Sequence, residues 1–204
     1  MQVDIPPRVL PILAQIEEFY MTTVKPFERQ LGRRLKERVG YLDQNGRIHP
    51  EVQRARRSIM EASARAGLYS LHLPTEIGGG GLSRYEMFFV EEKVYGYGLG
   101  LNPAVLAWTD GATPRLIFCD SAHRRDFVDP LVRGLKTSLN GVTEPAAGSN
   151  FFDMTTTAIR RGGDWYLTGH KYMITNAFEA NIAQVFAVTD AGKGRASFTY
   201  FQFD

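Results

Sequence analysis

The chain has 204 residues, 44% of them hydrophobic, enough to bury the core of one large domain or two small ones and too many for a disordered tail. Its formal net charge of +2, from 24 basic and 22 acidic side chains, carries neither a nucleic-acid footprint nor an acidic low-complexity segment. The single cysteine, Cys119, excludes an intramolecular disulfide and favours a reducing compartment, with the cytoplasm as default; no run approaches the roughly 18 uninterrupted apolar residues of a membrane-spanning helix.

From Val9 to about Leu35 the residues Val9, Ile12, Leu13, Ile16, Phe19, Tyr20, Val24 and Phe27 recur at spacings of three and four. That periodicity predicts an amphipathic helix, which Pro26 breaks or kinks. A second helix is expected from Pro50, a good first-turn residue, through Val52, Ile59 and Ala62 to a stop at Gly67. Ser83 and Glu86 have the spacing of a capping box, in which each side chain satisfies the other residue's backbone donor, and they start a third helix through Met87, Val90 and Val94. Short helical segments are expected around Pro103 to Trp108 and Pro114 to Phe118, and another from a cap at Ser121 toward Val132.

Beyond Gly134 the pattern changes to short runs rich in Thr, Val, Ile and aromatics: Thr155 to Arg160, Trp165 to Thr168, Ile182 to Thr189 and Ser197 to Phe203. These read as strands, with tight turns at Gly162-Gly163 and over Asp190 to Gly194. The expected class is α+β, an all-helical domain over residues 1–134 followed by a partial β domain over 135–204. The last strand reaches Asp204 without a closing partner, and because natural β domains cover or charge such an edge, a truncated chain is expected.

Two segments carry the most specific chemistry. The first is Val142-Thr143-Glu144-Pro145-Ala146-Ala147-Gly148-Ser149-Asn150. Main-chain donors of Val142 and Thr143 and the Thr143 hydroxyl, at a strand end, can meet the carbonyl oxygens and nitrogens of a planar ring. Gly148 lets backbone approach a ligand, and Ser149 adds a small hydroxyl. The second is Gly169-His170-Lys171-Tyr172-Met173-Ile174-Thr175-Asn176-Ala177. Together they resemble the acyl-CoA dehydrogenase family, whose middle β domain has a T-E-P-x-x-G-S-D loop followed at this spacing by G-x-K-x-W-I-T-N-A. Leu73-Pro74-Thr75-Glu76-Ile77-Gly78-Gly79-Gly80-Gly81-Leu82-Ser83 is similar to the family's L-P-x-x-x-G-G-x-G-L-S loop between two helices. Three motifs in register are far more specific than any one of them, and the resemblance covers most of the chain. Two positions depart from it: Met173 replaces a Trp, exchanging an aromatic wall for a flexible thioether, and Asn150 replaces an Asp.

The resemblance implies α,β-dehydrogenation of an acyl-CoA thioester with FAD as cofactor. It places the residues matching Val142, Thr143, Met173 and Thr175 along the flavin, Thr175 near the hydride-accepting nitrogen, and Ser149 at the flavin or the CoA phosphates. The cofactor-binding candidates are thus Val142, Thr143, Gly148, Ser149, Met173 and Thr175, with Ser149 also a substrate-binding candidate. The family's base is a Glu in a carboxy-terminal helical bundle absent from this chain, so no residue here is assigned that role, and the chain alone is expected to be inactive. The resemblance also implies an incomplete antiparallel β-barrel-like second domain, a homotetramer, and electron-transferring flavoprotein as electron acceptor. An acyl-CoA oxidase or flavin monooxygenase on the same scaffold, or a truncated non-catalytic module that binds a partner, are the alternatives.

Other features have plainer readings. Glu144, followed by Pro145, is expected to order its turn rather than to act as a base. Gly78 to Gly81 lack a following Gly-Lys-Ser/Thr and read as a helix-connecting loop rather than a phosphate cradle. His49, His72, His123 and His170 lack metal-ligand spacing, and the basic cluster Arg29, Arg33, Arg34, Lys36 and Arg38 reads as a solvated helix face beside Glu28 and Glu37.

Overall fold

The computed structural model describes residues 4–36, 41–98, 100–107 and 110–204, without the side chains of 195 and 196, and it divides into two compact units, Met1–Leu135 and Lys136–Asp204. In the first unit α1 (Leu10–Phe19) runs through a π-helical turn, Tyr20–Val24, into α2 (Lys25–Leu31) and a 3-10 turn, Gly32–Leu35. Pro26 therefore does not break the helix. It has no N–H to close onto the preceding turn, and its ring needs room there; the wider turn supplies that room, with the Lys25 N–H reaching the Tyr20 carbonyl. The device recurs at Pro130, where Arg124–Val128 forms a second π turn before the helical residues Asp129–Val132.

The helix α3 (Pro50–Arg65) is capped by His49, whose Nδ1 accepts from the Glu51 N–H at 3.3 Å, and it stops ahead of Gly67, which takes φ +75°. The helix α4 (Arg84–Gly96) opens with the full capping box: the Ser83 N–H donates to Glu86 Oε2 at 2.8 Å, and the Glu86 N–H donates to Ser83 Oγ at 3.3 Å. Val9, Ile16, Val24, Val52, Ile59 and Val90 from these elements are all at most 1% exposed and share one apolar core. Each contributes about 1.5–3 kcal/mol by leaving water. Asn102–Val105 and Pro114–Phe118 are single 3-10 turns, and Trp108 lies outside the described residues, as do Glu37 and Arg38. The cap of the last helical run is Asp120, not Ser121: its Oδ1 accepts from the His123 N–H at 3.0 Å. A carboxylate one residue earlier reaches the same orphan amide and carries the charge that a helix start favours. No helix among the described residues is long and apolar enough to cross a membrane.

The second unit is a five-stranded sheet centred on β4 (Ile182–Val188). Along one edge β4 pairs in parallel with β1 (Ser138–Gly141), in register Ser138↔Ile182, and at its far end with β2 (Thr157–Arg161) through Thr157↔Val188. Along the other it pairs antiparallel with β5 (Phe198–Phe203), and β2 forms a hairpin with β3 (Asp164–Thr168) across Gly162-Gly163. The two hairpin-type pairings are antiparallel as expected, whereas the pairings of β1 and β2 with β4 are parallel, because those strands are joined through long crossovers rather than tight turns. The strand β1, with the sequence Ser-Leu-Asn-Gly, has no β pattern of its own and exists because β4 offers it a register.

Candidate functional site

The loop after β1 is held from below. The Glu144 N–H donates to the Ala147 carbonyl at 3.0 Å and the Ala147 N–H donates back at 3.1 Å, closing a tight turn around Pro145 and Ala146. The Glu144 side chain turns inward and is 1% exposed. Its Oε2 accepts from the Thr155 N–H at 2.6 Å and the Thr155 hydroxyl at 2.8 Å; its Oε1 accepts from the Thr156 N–H at 3.0 Å and from Lys171 Nζ at 2.9 Å. Burial alone would push this carboxyl up, but the bonds from Thr156, Thr155 and Lys171 outweigh it and hold it well below the usual carboxylate range. A carboxylate so enclosed and so fully bonded has no lone pair for a substrate proton. It is the knot of the loop.

The second segment is tied to the first by two consecutive residues. Lys171 Nζ donates to the Val142 carbonyl at 3.1 Å, and the Tyr172 N–H donates to the Thr143 carbonyl at 2.9 Å. Gly169 permits this approach, since a Cβ there would collide with the Thr156 side chain. Beyond Tyr172 the chain turns sharply: Met173 has φ +53° and Asn176 φ +64°, with Asn176 Nδ2 donating to the Ser138 carbonyl at 2.9 Å. A left-handed conformation in a residue with a side chain costs about 1–3 kcal/mol and persists only where surroundings enforce it.

The structure thus bonds Val142 and Thr143 directly to the two residues that precede Met173. It shows no hydrogen bond, among the described residues, joining Gly148 or Ser149 to the segment around Met173 and Thr175. Met173 is 80% exposed, a large apolar side chain kept out of the core. Val142 and Thr143 are half-buried, and Gly148, Ser149 and Thr175 are exposed. A Cβ on Gly148 would meet nothing within 4 Å, so its missing side chain leaves open room rather than relieving a clash. Among the described residues the Thr143 N–H and hydroxyl and the hydroxyls of Ser149 and Thr175 have no protein hydrogen-bond partner. Unoccupied N–H and hydroxyl donors are the groups that a planar ring with carbonyl and nitrogen acceptors at its edge would need. The strand read from Thr155 begins only at Thr157, because the amides of Thr155 and Thr156 are engaged by Glu144. Lys171 was not among the candidates; its signal in the sequence is a lysine set in the run Tyr172-Met173-Ile174, where a charge needs a partner.

The four-glycine loop is a connector. Gly78 and Gly81 take φ of +84° and +62°; a Cβ on Gly79 would collide with the Leu73 carbonyl, and one on Gly80 would lie 2.9 Å from Leu71 Cα. The amides of Gly78, Gly79, Gly80 and Gly81 donate to Thr75, Pro74, Ser70 and Leu73 carbonyls, leaving none for a phosphate. No group of three or more His, Cys, Asp or Glu among the described residues is placed to hold a metal ion.

Residues 13–135 match the family described as acyl-CoA dehydrogenase, N-terminal domain, and residues 140–204 match acyl-CoA dehydrogenase, middle domain. Among curated relatives, acyl-CoA dehydrogenase FadE12 of Mycobacterium tuberculosis is 30% identical over 131 residues, 64% of this chain and 34% of that protein. The crystal structure of a probable acyl-CoA dehydrogenase from Mycobacterium abscessus superposes with a TM-score of 0.74 at 23% identity, over 98% of this chain and 48% of that one. An acyl-CoA dehydrogenase from Bacillus anthracis, solved in complex with FAD, gives 0.68 at 22% identity over 98% of this chain and 32% of that one. The chain spans about a third of the length of the curated relatives it matches and about half that of most of the solved chains.

Proposed function

This chain belongs to the acyl-CoA dehydrogenase family, and from that membership we propose that it supplies the helical and middle-domain part of an FAD-dependent enzyme that oxidises an acyl-CoA thioester to its α,β-unsaturated product. The observation that carries the proposal is the set of unoccupied donors on Thr143, Ser149 and Thr175, standing on segments whose neighbouring groups are firmly bonded. In this reading the Thr143 N–H and hydroxyl bind the polar edge of the flavin. Thr175 donates its hydroxyl near the nitrogen that accepts hydride, Met173 and Val142 form an apolar wall, and Gly148 leaves room for backbone approach. Ser149 binds phosphate oxygens of cofactor or substrate with its hydroxyl. FAD, when bound, supplies the hydride acceptor. The thioether of Met173 packs on a ring with more freedom than an indole has, which loosens the wall without removing it.

The proton leaving the α-carbon needs a base facing the substrate, and we assign that role to none of these 204 residues. Glu144, the carboxylate nearest the loop donors in sequence, is enclosed and bonded through both oxygens. Electron-transferring flavoprotein as acceptor, a homotetramer as the assembled form and the cytoplasm as compartment complete the proposal. Its test is to purify the protein from its source with FAD present and add acyl-CoA thioesters anaerobically. Bleaching of the flavin absorbance with formation of the enoyl product is the expected result, and a preparation that retains no flavin at all would sink the proposal.

A further inference from the structure

We propose that Lys171 is a positioning residue for the flavin: by binding the Val142 carbonyl it aims the N–H at the other end of the same peptide unit, that of Thr143, toward the cofactor and strengthens it as a donor. This rests on the FAD reading given above.

A peptide unit is planar and trans, so its C=O and N–H point in opposite directions, and fixing one fixes the other. The unit joining Val142 to Thr143 has its carbonyl bound by an ammonium at 3.1 Å. Its N–H makes no protein hydrogen bond among the described residues. The next carbonyl, that of Thr143, is bound by the Tyr172 N–H at 2.9 Å, so Thr143 is held at both flanking peptides by two successive residues of the opposing segment. A cation on a carbonyl polarises the whole unit, and chains of such bonds strengthen one another by roughly 10–30% per bond.

Lys171 is equipped for this. Its side chain is 12% exposed, and its stem runs over Gly141, where a Cβ would lie 3.5 Å from Lys171 Cγ. Glu144 Oε1 at 2.9 Å balances its charge, and Met154 Sδ lies 3.7 Å away. Glu144 is in turn pinned by the amides of Thr155 and Thr156. The bond to Val142 also satisfies a second donor of the half-buried ammonium, which Glu144 Oε1 alone leaves open. The same bond couples the buried pair to the peptide unit that carries the Thr143 N–H.

The test follows the Thr143 amide resonance of the ¹⁵N-labelled protein, purified from its source, during titration with FAD, alongside the thermal midpoint. Lys171→Met alone strands a buried carboxylate, so the informative variant is Lys171→Met with Glu144→Gln, which removes both charges together. The wild type is expected to show a saturable Thr143 shift. The double variant is expected to melt near the wild type yet bind FAD about tenfold more weakly, with a diminished Thr143 shift. Should the double variant not fold, Lys171→Arg keeps a cation opposite Glu144 on a longer planar head, and a folded chain with weakened FAD response is again expected. A folded variant that binds FAD as tightly as wild type, with the full Thr143 shift, overturns the role of Lys171 and leaves the FAD reading standing. A wild-type protein, purified from its source, in which FAD moves no amide removes the FAD reading itself, and this inference with it.

Discussion

The loop at Gly78 to Gly81 and the loop from Thr143 to Ser149 are both marked by glycine, and they are built for opposite ends. In the first, every glycine amide is bonded to a carbonyl of residues 70–75, and Gly79 and Gly80 press against Leu73 and Leu71. In the second, a Cβ on Gly148 would meet nothing within 4 Å, while the Thr143 donors and the Ser149 hydroxyl have no protein partner among the described residues and Glu144 anchors the loop. Glycine count therefore does not mark a ligand cradle. Under the proposed function the mark is donors left unoccupied on a firmly anchored backbone, because binding then costs little reorganisation.

The sharpest test of this contrast is the anchor itself. Lys171→Met alone is expected to destabilise the fold by about 3–5 kcal/mol, since it leaves the Glu144 carboxylate buried without its cation, and urea denaturation reads this directly. Gly79→Ala is expected to cost about 2–3 kcal/mol by forcing a methyl into the Leu73 carbonyl. Gly148→Ala should stay within about 0.5 kcal/mol of the wild type while lowering FAD affinity. Equal stability losses at the two glycines would erase the distinction between the loops.

Acid gives a third handle. The Glu144 carboxyl is held down in the folded state, so its contribution is present above the unfolded carboxylate value, about 4.3, and is lost as pH falls below it. Urea midpoints should therefore drop progressively as pH falls below about 5 in the wild type and drop less in Glu144→Gln. An equal drop in both would place the acid sensitivity elsewhere. The smallest effect is at Ser83→Ala, where losing half of the capping box should cost about 1 kcal/mol by thermal melting and leave FAD binding unchanged.

Much of the helical unit was legible because its signals are local. Pro50, Gly67 and the Ser83/Glu86 pair act within one turn of the helices they bound, and their geometry does not wait on distant residues. The break or kink expected at Pro26 fails for a related reason. Pro26 does exclude an ordinary α turn, but a π turn before it satisfies the same exclusion without ending the helix, and sequence periodicity does not distinguish the two. At Asp120 and Ser121 two adjacent residues are both good caps, and only the backbone path shows which one reaches the His123 amide.

The sequence by itself determined both ends of α3 and the start of α4, the β2–β3 hairpin with its glycine turn, and which two segments carry the motif residues. These depend on side-chain type and spacing within a few residues. Tertiary structure alone decided that Ser138–Gly141 pairs in parallel with β4, that β2 starts at Thr157, and that Lys171 meets both Glu144 and the Val142 carbonyl. Each of those outcomes needs a hydrogen-bond partner from 11 to 44 residues away, and a partner so distant is chosen by the way the chain packs, not by the residues on either side.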